Sequence, residues 1–162
     1  MKLLDYFSQV FFAFPVQIFS PSFKASAQHP KKLFIVDLGL VNQFTGESEI
    51  GKNMENVVFL QLYRFASREG FQINYWKEYG KSEGLEVDFV ISRNNKVVQL
   101  INVSYAGSME EVRPREIKSL EKVSKELGCK KLTIITWDFL KEDEIAYVPL
   151  WYWLLNTSRL IF

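Results

Sequence analysis

The 162-residue chain has one cysteine, Cys129, and one histidine, His29. A lone cysteine excludes an internal disulfide and a cysteine-rich zinc site. An excess of either charge is also missing, because 20 Lys and Arg stand against 19 Asp and Glu, a formal net charge of +1. Any contact with nucleic acid therefore has to come from a local basic patch. Long apolar runs are absent as well. The greasiest stretch near the start, VFFAFPVQIF from Val10 to Phe19, is interrupted by Pro15 and Gln17 and is too short to cross a bilayer as a helix. There is no internal repeat, no low-complexity tract and no charged start followed by a small-residue cleavage site. The composition reads as a cytoplasmic chain with no membrane partner. At 48% hydrophobic residues it is long enough for one substantial core.

What is present divides at about residue 30. Residues 1–30 read as an extension: a short helix KLLDYFSQ, an extended aromatic run to Phe19, then the connector SPSFKASAQHP. The phenylalanines Phe7, Phe11, Phe12, Phe14 and Phe19 need cover, so the extension is expected to pack on the core or on a partner. Residues 31–162 read as an α/β domain. KKLFIVDLGL gives a strand from Leu33 to Val36 with a turn at Gly39, and the polar loop TGESE follows. Met54, Val57, Val58, Leu62 and Phe65 recur at helical spacing, which predicts a helix from Ile50 to Arg68 stopped by Gly70. Three strands are expected next, starting near Phe71, Leu85 and Val97, the last two joined by a turn at Asn94 and Asn95. A helix from Met109 to Leu127, a doubly buried strand in KKLTIITW, a strand in EIAYVPL and a closing helix in WYWLL complete the order.

The residues that carry chemistry cluster around the central hairpin. Glu86 and Asp88 lie two apart and share a strand face, as do Asn102 and Ser104 on the next strand. Glu55 borders the apolar stripe of the long helix. Carboxylates converging in this way suit a hard divalent cation, and a phosphodiesterase usually adds a lysine near the attacking water. The plainer readings are a solvated strand face or a salt bridge to Arg115 for Glu86 and Asp88, and a surface helix residue for Glu55. Arg113, Arg115 and Lys118 could meet phosphates or form ordinary surface. The tryptophans could stack on bases or pack in a core.

The helix GKNMENVVFLQLYR, the strands NYWKEYGKSEGLEVDFVI and LINVSY, and REIKSLEKVSKELGCKKLTIITWD together resemble the C-terminal module of archaeal and bacterial AAA+ family ATPases, a restriction-endonuclease-like, PD-(D/E)XK-type fold. The resemblance implies a mixed central sheet flanked by helices, in the order helix, three strands, helix, strand, after an N-terminal helix and strand. It sets Glu55 at the helix acid of the nuclease site and Asp88 at the strand acid. Where that family reads acid, any residue, lysine, this chain has Asn102 and Ser104, and neither supplies the negative or positive charge. Lys118 and Lys122 are the candidates for a migrated lysine. No G-x-x-x-x-G-K-[ST] occurs, so the chain has no phosphate cradle of the ATPase kind. The expected function is a catalytically degenerate nuclease-like module that binds DNA or a protein partner, with no cofactor. An ATPase, or a second copy joined through the aromatic termini, would be such a protein partner. The alternatives are an active Mg²⁺-dependent endonuclease holding its metal on Glu86 and Asp88, and a structural or oligomerisation domain.

Overall fold

The structure, a computed structural model, describes residues 2–20, 26, 28–39, 43, 49–79 and 84–161. Most of the expected TGESE loop and much of the SPSFKASAQHP connector lie outside these residues.

The chain opens with α1 (Lys2–Gln9), β1 (Ala13–Val16) and β2 (Lys32–Ile35). β1 and β2 form an antiparallel ribbon running from Ala13 opposite Ile35 to Val16 opposite Lys32. Then come α2 (Ile50–Glu69), β3 (Gln72–Lys77), β4 (Glu86–Arg93), β5 (Lys96–Val103), α3 (Pro114–Leu127), β6 (Leu132–Thr136), β7 (Ile145–Pro149) and α4 (Leu150–Ile161). The five later strands form one mixed sheet in the order β3-β4-β5-β6-β7. The first three are antiparallel, and β6 and β7 join in parallel.

Local chemistry explains the boundaries. α2 and α3 both end at a glycine in the left-handed region, Gly70 at φ 68° and Gly128 at φ 66°, where a side chain would be strained. Asn94 and Asn95 both have positive φ and close the two-residue turn between β4 and β5. One boundary departs from the sequence pattern. The helix expected from Met109 breaks into a 3-10 turn, Met109–Glu111, and α3, which begins at Pro114. Proline cannot donate to the preceding turn, and it drives Arg113 into extended backbone at ψ 130°.

The sheet is covered on both faces. On one side Val58, Phe59 and Leu62 of α2 and Trp153 of α4 pack with Phe89, Ile91, Ile101 and Ile135. On the other, Leu120 and Val123 of α3 pack with Val90, Leu100, Ile134 and Tyr147. The ribbon extends the first layer. Phe14, Val16, Ile18 and Phe34 join the same cluster, and Ile18 pairs with Tyr75 beside β3. The N-terminal aromatics therefore divide: Phe14 is buried, whereas Tyr6, Phe11 and Phe12 stay exposed.

Candidate functional site

Aromatic packing positions a cluster of charges at the junction of ribbon, α2 and β4. Lys32 and Phe34 lie two apart on β2 and share a face, and Glu55 sits one turn before Phe59 on α2. Phe34 and Phe59 stack with centroids 4.2 Å apart and planes 11° from parallel. That stack brings Lys32 beside Glu55, with Nζ 2.8 Å from Oε1. The Tyr75 hydroxyl donates to the carbonyl of Pro30, which fixes the chain just ahead of Lys32.

β4 brings the other two acids. Between Trp76 and Asn74 β3 advances two residues, whereas its partners Val87 and Val90 are three apart, so β4 carries a bulge there. The bulge sends Val87 and Phe89 to opposite layers and leaves Glu86 and Asp88 together. Lys32 Nζ lies 2.6 Å from Glu86 Oε1 and 3.1 Å from Asp88 Oδ1. Glu86 also takes Lys77 at 2.9 Å. All four side chains of the Lys32 cluster are about one-fifth exposed.

Burial and the Asp88 charge push the Glu55 carboxyl up to about 7, against the opposing pull of Lys32. Burial would also raise Glu86, but Lys32 and Lys77 outweigh it and hold that carboxyl below its usual range. For Lys32, burial disfavours the ammonium, yet Asp88, Glu55 and Glu86 overcome it and keep the charge on.

Asn102 is almost fully buried and its amide is committed. Oδ1 accepts the Asp88 N–H at 3.0 Å, and Nδ2 donates to the Glu116 carbonyl at 3.0 Å and to Ser119 Oγ at 2.9 Å. The Asp88 carboxylate answers by accepting the Val103 N–H at 2.9 Å. These side chains continue the β4–β5 connection beyond Phe89 and Ile101 and tie both strands to α3. Ser104 is buried beside them and hydrogen-bonds Glu116, whose carboxyl burial pushes up.

A cleft of about 410 Å³ opens over this cluster, lined by Glu55, Glu86, Asp88, Asn102, Ser104 and Glu116 and rimmed by Lys52, Tyr105, Arg113 and Arg115. Across Tyr105, Trp137 packs edge-on with centroids 5.5 Å apart, and both rings are half exposed.

Residues 50–153, from the start of α2 into α4, match the family described as Domain of unknown function (DUF4143). The chain belongs to that family. An uncharacterized protein of Methanocaldococcus jannaschii, MJ1544, is 35% identical over 165 residues, an alignment covering 94% of this chain and 35% of the relative. The chain thus spans about a third of that relative's length. No solved structure is a significant match.

Within this DUF4143 chain the structure gathers Glu55, Glu86, Asp88, Asn102 and Ser104 at one cleft. Arg113 and Arg115 reach its rim, while Lys118 is exposed on α3 and is not part of its lining. Lys32 pairs with both Glu86 and Asp88, and Lys77 with Glu86, in place of the salt bridge expected to Arg115. Lys122, one of the candidates for a migrated lysine, pairs with Glu78 at 2.8 Å and lies over the Trp76 ring. Glu55 stands beyond the first turn of α2 and is half buried, so the ion pair, not the helix dipole, governs it. Lys32 is the residue that sequence reasoning missed. Its one local signal is the shared face with Phe34, which points it inward.

Among the described residues no helix is long and apolar enough to cross a membrane.

Proposed function

We propose that this DUF4143 chain is a restriction-endonuclease-like, PD-(D/E)XK-type module that has lost catalysis and works by binding a protein partner. Asn102 carries the reading. At the position where such a site needs a carboxylate on β5, the side chain is a neutral amide with both N–H groups donated to α3. Ser104, two residues on, brings no positive charge, and Glu55 and Asp88 spend their carboxylates on Lys32 and on the Val103 N–H.

Protein is favoured over nucleic acid by surface chemistry. Carboxylates outnumber cations in the cleft lining, which disfavours a phosphate backbone. The N-terminal ridge, by contrast, leaves Leu3, Tyr6, Val10 and Phe11 more than 60% exposed around a shallow apolar depression of about 450 Å³. DUF4143 domains typically occur with AAA ATPases, and the archaeal relative is about three times as long as the aligned segment. An ATPase is the partner this ridge would meet. Capture of an AAA-type ATPase by the wild type, lost in Tyr6→Asp/Phe11→Asp, is the expected result. Equal capture by both proteins would refute the ridge as the interface.

Two observations support narrower readings. Arg113, Arg115 and the Tyr105–Trp137 pair border one end of the cleft, a combination that suits a strand with unpaired bases. Salt-dependent binding of single-stranded DNA, weakened by Trp137→Ala, would establish it. Glu55, Glu86 and Asp88 at one cleft are the acids that the alternative, a Mg²⁺-dependent endonuclease, would use. Cutting of supercoiled or branched DNA with Mg²⁺ or Mn²⁺, abolished by Asp88→Ala, would overturn the loss of catalysis. A chain that captures no partner and shows no DNA affinity at low salt would be a structural domain instead.

A further inference from the structure

Glu55 from α2 and Glu86 and Asp88 from β4 direct three carboxylate oxygens at one point, and the ammonium of Lys32 occupies it at 2.6–3.1 Å. An ammonium has three N–H donors, and here each has a carboxylate acceptor. Carboxylates gathered in a half-buried place require a cation, because burial and mutual repulsion both oppose their ionisation. Oxygen sets of this type are what a divalent ion takes in other proteins. Here the cation is covalently part of the chain. It is held by the β1–β2 pairing, the Phe34–Phe59 stack and the Tyr75–Pro30 hydrogen bond. As they stand around the ammonium, these carboxylates are not arranged to hold a metal, and neither is any other group of three His, Cys, Asp or Glu residues among those described.

We propose that Lys32 is a built-in cation that stands where a divalent ion would bind, so that the wild-type chain excludes metal and loss of the ammonium turns Glu55, Glu86 and Asp88 into a divalent-cation site. The same contact fastens the N-terminal ribbon to α2 and β4. The idea deepens the reading of a site without catalysis, but it concerns the cation alone and is tested without DNA or partner.

The probe is Mn²⁺, followed by calorimetry and by electron paramagnetic resonance near pH 7.5, on wild type, Lys32→Met and Lys32→Met/Asp88→Asn. Lys32→Met keeps the apolar stem and removes the charge. The expected result is Mn²⁺ affinity at least about tenfold higher in Lys32→Met than in the wild type, a difference of about 1.4 kcal/mol. The double variant should return to the wild-type level. Should Lys32→Met fail to fold by circular dichroism, Lys32→Gln is read in its place. Tight binding of Mn²⁺ to the wild type, weakened by Asp88→Asn, would overturn the proposal. So would a folded Lys32 variant that gains no affinity. Neither failure touches the partner-binding reading, which the Tyr6 and Phe11 variants test separately.

Discussion

Restoring the missing acid with Asn102→Asp is expected to damage the protein rather than to repair a nuclease. In the native chain Nδ2 of Asn102 donates to the Glu116 carbonyl at 3.0 Å and to Ser119 Oγ at 2.9 Å. A carboxylate has no donor, so its oxygen would face a carbonyl oxygen there. Ser119 cannot compensate, since its hydroxyl already donates to that carbonyl at 2.8 Å. The new charge would be buried, for Asn102 is 1% exposed, and would lie among Asp88 and Glu116. Leaving a buried charge without a partner costs about 3–5 kcal/mol. A domain of this size loses roughly 2–4 °C of melting temperature per kcal/mol, so a fall of roughly 10 °C is expected at pH 8. Urea unfolding followed by tryptophan fluorescence, at pH 8 and pH 5, measures it. The loss should shrink at pH 5, where the new acid can take a proton and regain a donor. An Asn102→Asp protein within about 0.5 kcal/mol of the wild type at pH 8 would refute the reasoning. It would show Asn102 to be an unoccupied site position and not a structural tie.

Other consequences follow from the same geometry. The folded state holds the Glu55 carboxyl at about 7 against an ordinary value of 4.5, so it binds more protons than the unfolded chain in that interval. Stability should therefore fall as pH rises from about 4.5 to about 7, by about 3 kcal/mol, and level off above. Glu55→Gln should flatten the profile, and an unchanged slope in that variant would assign the pH dependence elsewhere. Phe59→Ala removes the ring that holds Phe34 and Phe14, so about 3–5 kcal/mol should be lost. Proteolysis within the β1–β2 ribbon should accelerate in the same variant, and a ribbon as resistant as the wild type's would contradict its anchoring role. Asn95 lies at φ 61° in the β4–β5 turn, so Asn95→Gly should raise stability by a few tenths of a kcal/mol in urea unfolding. A loss of stability would place the strain elsewhere.

Elements governed by neighbours along the chain can be read from the residues alone. Gly70 and Gly128 stop their helices because only a residue without Cβ enters the left-handed region cheaply. The β4–β5 hairpin follows from two asparagines between apolar runs, and the buried β6 follows from an unbroken apolar stretch with helices on both sides. The break at Pro114 is legible too, since a helix resists continuing through the residue before proline, but the apolar periodicity from Met109 masks it. The site is half legible. Alternation along a strand puts Glu86 with Asp88, and helical spacing puts Glu55 toward the sheet.

What the sequence determined by itself is the inventory: an α/β order of elements, three acids on a helix and a strand, and no acid or lysine at 102 and 104. Two facts needed the tertiary structure. One is the bulge in β4, which depends on register against β3 and sends Val87 and Phe89 to opposite layers where alternation would keep them on one. The other is Lys32, which lies 23 residues from Glu55 and 56 from Asp88 along the chain and reaches both in space. No periodicity encodes such a meeting. It depends on a stack of aromatic rings between two elements that only the folded core brings together.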